Sequence, residues 1–147
     1  MEENLFAGIE AEKIQLPLEI LNSFADQFNK TFTDRMSFQV SKKLEDEVDD
    51  WTKIDIFERS REQSEKRLVA RATIVVSGLN DYRLLVLKLS YLRSIVYPCE
   101  IVDVLNNKEA KACNTPEDVN DTLTTIFKTE SFQRPLRMIL SQLEHNS

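Results

Sequence analysis

The sequence predicts an α+β domain: an N-terminal amphipathic helix, an antiparallel sheet of about four to six strands, and two C-terminal helices packed on that sheet. Three observations lead there. Leu18, Leu21, Phe24, Ala25, Phe28 and Phe32 recur at three- and four-residue spacing. "KRLVARATIVVSG" and "YRLLVLKLSYLR" alternate apolar and polar side chains on either side of a short turn. Beyond Thr115, two more apolar stripes of helical period complete the chain.

The first helix starts at Leu16, with Pro17 at a first-turn position where its missing N–H is not needed. "MSFQVSKK" then sets Met36, Phe38 and Val40 against Ser37, Gln39 and Ser41, as in a half-buried strand. The stretch from Leu44 to Glu65 mixes periods, and we read 45–51 as a loop or short turn of helix and 52–59 as a strand. Next come the two long strands. Leu68, Ala70, Ala72, Ile74 and Val76 share one face of the first, and Leu85, Leu87, Leu89 and Tyr91 share one face of the second. The turn "SGLND" is short enough to pair them antiparallel.

"VYPCEIVDVL" reads as a further strand and "KEAKAC" as its return. Thr115 is a good N-cap, followed by Pro116 at the first helical position and Asp118 in the reciprocal place of a capping box. Val119, Leu123, Ile126 and Phe127 form that helix's stripe. A last helix from about Ser131 carries Phe132, Leu136, Ile139, Leu140 and Leu143, with Pro135 expected in its first turn. Residues 1–147 are thus expected to form a single domain, with 1–14 as an N-terminal tail and the acidic stretch 44–65 inside the domain.

Composition excludes several functions. With only Gly8 and Gly78, neither of the usual glycine-rich phosphate-binding loops can be written. The one histidine, His145, lies close to the C-terminus, a poor place to hold a general base or a zinc ligand. "EDEVDDW" lacks the glycine of a Ca²⁺ loop. The N-terminus lacks the basic-then-apolar pattern of a secretory signal, and Lys88 breaks the most apolar run well short of the ~18 residues of a membrane span. A cytoplasmic protein without cofactor or bound metal is expected, with Cys99 and Cys113 reduced.

Two features remain as candidates. In "YPCEIVDVLNNKEAKAC", a two-residue turn at Asn106-Asn107 would put the cysteines on opposite faces of the hairpin, whereas a three-residue loop would put Cys99 across from Cys113 and Asp103 across from Glu109. We expect the two-residue turn, because a three-residue loop favours glycine at its last position. In the other register Asp103, Glu109 and Lys111 form a carboxylate and lysine set of the kind used by metal-dependent phosphodiester hydrolases, which is the catalytic alternative.

The second feature is charge. Between Leu44 and Glu65 lie nine acidic and three basic residues, which account for the whole chain's net charge of −6. Direct nucleic-acid binding is therefore not expected. The reading that follows is a non-catalytic protein-binding module: a small acidic inhibitor, immunity or antitoxin-like protein, or a chaperone-like adaptor. Its contacts would be Glu45, Asp46, Glu47, Asp49, Asp50 and the aromatic anchor Trp51, meeting a basic protein partner. A homo-oligomer is the second alternative.

Overall fold

The computed structural model describes residues 4–46, 66–80 and 82–145. In chain order they form α1 (Pro17–Thr31), β1 (Ser37–Asp46), β2 (Lys66–Val76), β3 (Tyr82–Leu92), β4 (Cys99–Asp103), β5 (Lys111–Cys113), α2 (Pro116–Lys128) and α3 (Glu130–His145). The five strands make one antiparallel sheet in the order β1-β2-β3-β4-β5. This is the expected α+β arrangement, and each strand pairs with the next without a crossover.

One face of the sheet carries the core. Phe38, Ala70, Ala72, Ile74, Val76, Leu87, Leu89, Tyr91 and Ile101 are all buried there. Against them pack Ile20, Leu21 and Ala25 of α1, Val119, Leu123 and Ile126 of α2, and Phe132, Leu136 and Ile139 of α3, in one apolar cluster. Alanine at positions 70 and 72 leaves room for bulky helix residues, and each fully buried leucine or isoleucine contributes roughly 1.5–3 kcal/mol. Phe127 joins the layers: its ring lies 5.3 Å from Phe24, 5.8 Å from Phe38 and 4.9 Å from Phe132.

The helix ends follow local chemistry. α1 has no side-chain cap and relies on Pro17. At α2, Thr115 Oγ1 accepts from the amide of Asp118 at 3.1 Å, and the Asp118 carboxylate reaches back to the Asn114 amide at 3.1 Å, one residue before the N-cap. Thr129 Oγ1 accepts from the Phe132 amide at the start of α3. That helix begins at Glu130, so Pro135 sits in its second turn rather than its first, and the hydrogen bond to the Ser131 carbonyl is not made.

Two other expectations are corrected. The strand read over 36–43 continues through Glu45 and Asp46, which lie opposite Arg67 and Lys66 where a loop was expected, and Glu45 forms an ion pair across the strands with Arg71. The remainder of the 45–51 loop and the 52–59 strand lie outside the described residues. In β3, Thr73 pairs with Leu85 and Ala72 with Leu87, leaving Val86 as an extra residue in a bulge. The bulge reverses the alternation, so Leu84, opposite Ile74, joins the core and Leu85 faces away from it.

Within the turn after β2, a Cβ on Gly78 would meet Leu143 Cδ2 at 2.6 Å, which is why the end of α3 can close over a glycine there. Asn80 takes a φ of 51°, a left-handed value that asparagine tolerates.

At the sheet edge, the Asn29 side chain acts as a surrogate strand. Its Oδ1 accepts from the Phe38 amide at 2.7 Å and its Nδ2 donates to the Phe38 carbonyl at 3.2 Å. Asn29→Ala leaves both groups of a half-buried edge without partners and is expected to lower stability by about 1–3 kcal/mol in urea unfolding, with Asn29→Asp, which keeps the acceptor, losing less.

Candidate functional site

The β4–β5 hairpin holds the first candidate site, and its register is not the one expected. Cys99 is opposite Cys113, Glu100 opposite Ala112 and Ile101 opposite Lys111. The cause lies in the turn. The Asn107 amide donates to the Val104 carbonyl at 3.1 Å and the Lys108 amide to the Asp103 carbonyl at 3.2 Å, the paired bonds of a Schellman-type reversal, with Asn107 at φ 51°. A two-residue turn of the kind expected would need positive φ at both asparagines. Only Asn107 has it.

Asp103 is what holds Asn106. The carboxylate is buried, its Oδ1 accepting from the Asn106 amide at 3.2 Å and its Oδ2 from Asn106 Nδ2 at 2.6 Å. Asn106 Nδ2 also donates to Thr129 Oγ1 at 3.3 Å, and that hydroxyl donates to the Ile126 carbonyl at 2.7 Å. A turn between two strands is thereby tied to the junction between α2 and α3. The sequence holds one sign of it, an Asp followed at three residues by Asn.

The register slip therefore unites one pair of candidate residues and not the other set. Cys99 and Cys113 come together. Asp103 pairs with Leu87 of β3, Glu109 lies on the exposed stretch between the strands, and Lys111 is exposed opposite Ile101. Among the described residues no three His, Cys, Asp or Glu side chains are grouped as metal ligands.

Both cysteines are free thiols with no exposed surface. Burial pushes the Cys99 thiol up to about 12, helped by the neighbouring Cys113. Cys113 Sγ lies 3.5 Å from Thr122 Oγ1. Burial also raises Tyr91, and it pushes Tyr97 up to about 12; Tyr97 donates its hydroxyl proton to the Gln15 carbonyl at 2.8 Å. A thiol that holds its proton so firmly is a poor nucleophile and behaves as a small apolar group.

Of the acidic candidates, Glu45 forms an ion pair with Arg71 across the strands at 3.1 Å. Asp46 ends β1 opposite Lys66. Glu47, Asp49, Asp50 and Trp51 lie outside the described residues.

Three surfaces were not marked by the sequence reading. The first is the face of the sheet turned away from the helices: no described element packs on it, and Val69, although buried, stands outside the apolar cluster on the helix side. The second is a shallow groove of about 250 Å³ between α1 and α2, lined by Phe24, Phe28, Phe38, Phe127 and Phe132. The third is the segment before α1. There Asn4 Oδ1 accepts from the Phe6 amide at 3.0 Å, within a turn that leaves Leu5, Phe6 and Ile9 between 73% and 75% exposed.

No family model matches the chain, and comparison with curated proteins and with solved structures returns no match.

Two outcomes test this description of the hairpin. The native state keeps the Cys99 proton up to about pH 12, whereas the unfolded chain releases it near 9.0, where a thiol ordinarily titrates. Across that window the unfolded state binds fewer protons, so stability falls as pH rises. Denaturant titrations over the window should show a shallower fall for Cys99→Ala than for the parent chain. Asp103→Ala removes the acceptor of two hydrogen bonds and is expected to lower stability by about 1–3 kcal/mol, measured by urea unfolding, with Asp103→Asn losing less.

Proposed function

We propose that this protein is a non-catalytic protein-binding module, a small acidic inhibitor, immunity or antitoxin-like protein or a chaperone-like adaptor. The observation that carries the reading is the one-sided sheet. Three helices bury one face, and no described element covers the other, where apolar and charged side chains alternate. A sheet of five strands offers a broad, rigid contact surface on which side-chain positions are set by the ladder rather than by loops.

The acidic stretch 44–65 gives the reading its second part. Its nine carboxylates against three cations favour a basic protein partner, because like-charged or neutral partners are not steered toward such a field. The hydrolase alternative has less support, since both carboxylate oxygens of Asp103 already accept hydrogen bonds within the fold. The exposed Leu5, Phe6 and Ile9 favour a second reading in which the partner is another copy of the chain. Light scattering after size exclusion separates the two readings: a monomer at micromolar concentration removes the second.

The first is tested by partner capture followed by kinetics. With the captured protein in hand, Asp49→Lys combined with Asp50→Lys is expected to slow association by about tenfold at low salt while leaving dissociation nearly unchanged, the gap closing as salt rises. An unchanged association rate would remove the acidic stretch from the contact.

A further inference from the structure

The face of the sheet that no described element covers carries, among the described residues, charge opposite in sign to that of the chain. Among the described residues, strand register places Lys43, Arg67, Arg71, Arg83 and Lys88 on it, against Glu45 and Glu100. In a chain of net charge −6, the described strands thus carry an excess of cations on this side. Arg71 is matched by Glu45, and Arg67 donates to the Ser90 hydroxyl and carbonyl. Among the described residues Lys43, Arg83 and Lys88 have no ion-pair partner.

The spacing gives the size of what fits. Lys43 on β1 and Lys88 on β3 are two strands across and two residues along from each other, roughly 12 Å, and Arg83 lies about 15 Å along β3 from Lys88. Val69 and Leu85 stand between these cations on the same face, and Val102 flanks Lys88 on β4. Lys43 and Arg83 are six ladder positions and two strands apart, roughly 22 Å, and an extended segment of about seven or eight residues spans that distance at roughly 3.3 Å per residue.

The face also lacks what a nucleic-acid platform uses. No described aromatic ring points from it, since the register puts Tyr82 and Tyr91 on the helix side, and bases need such rings to stack on. Cations interleaved with aliphatic side chains suit carboxylates interleaved with aliphatic side chains.

We propose that this face docks an acidic segment of a protein partner, its carboxylates over Lys43, Arg83 and Lys88 and its apolar side chains over Leu85 and Val102. The proposal rests on the protein-binding reading and names the chemistry of one partner at one surface. It calls for the opposite charge to that called for by the acidic stretch 44–65, of which Glu45 lies on this face, paired with Arg71.

The test uses the full chain and fluorescence anisotropy with two labelled probes of equal charge, an oligopeptide of alternating glutamate and leucine and an oligouridylate. Lys43→Glu, Arg83→Glu and Lys88→Glu together reverse the face. Lys30→Glu, Lys128→Glu and Arg134→Glu together make the same change of net charge on the helix side. Wild type should bind the peptide more tightly than the RNA, the face variant should lose about tenfold or more in peptide affinity, and the helix-side variant should stay within about threefold of wild type. Should the triple variant unfold, Lys43→Glu with Arg83→Glu, both at exposed positions, carries the same expectation. Equal losses in both variants would show a net-charge effect and overturn the proposal, as would tighter binding of the RNA or no peptide binding by wild type. The broader reading fails separately, when capture with the unaltered chain yields no protein whose binding can be reproduced with purified components.

Discussion

Between β2 and β3, the ladder sets Ala70, Ala72, Ile74 and Val76 beside Leu84, Leu87, Leu89 and Tyr91 on one side of the sheet, and three helices bury their apolar stripes against that surface. The other side of the same ladder carries Arg67, Arg71, Arg83 and Lys88, where an apolar helix stripe would have to desolvate charge. Strand alternation thus decides the layering. α1, α2 and α3 end on one side because that side is the continuously apolar one, and no described element covers the other, where charged and apolar side chains mix.

Most of this architecture is legible in the sequence because it depends on local periods and caps. α1 and α2 can be read from their stripes, Pro17, and the Thr115–Asp118 pair. The central strands can be read from alternation. What could not be read depends on contacts remote in sequence. Whether Asn106 takes positive φ is decided by the buried Asp103 carboxylate and by Thr129, which belongs to the junction of two helices. The bulge at Val86 falls within "RLLVLKL", where four of the five residues from Leu84 to Lys88 are apolar, so no break in period marks the extra residue.

That bulge also bears on charge. Continuous alternation from Leu87 back to Arg83 would have put Arg83 on the helix side; the extra residue turns it to the face that carries Lys88 and Arg71. Summing charges along the chain locates the acidic stretch but cannot show a basic face assembled from residues on several strands. The sequence reading found the excess of carboxylates and missed the surface of opposite sign for this reason. The candidate carboxylate set has a similar history: Asp103, Glu109 and Lys111 look related at short spacing, yet the hairpin directs Asp103 inward to its own turn and leaves the other two exposed.

Val86 has a further consequence, for how such a chain can change over evolutionary time. Loss of that one codon would leave Leu85 opposite Thr73 and Leu87 opposite Ala72, as they are now, and every other residue of β3 on its present face. Insertion or deletion elsewhere in a strand transposes everything beyond it from interior to exterior. At this position the gene can alter its length by one residue at the expense of a single buried valine, so β3 contains a point where the reading of the sheet's two faces is insulated from a change in length.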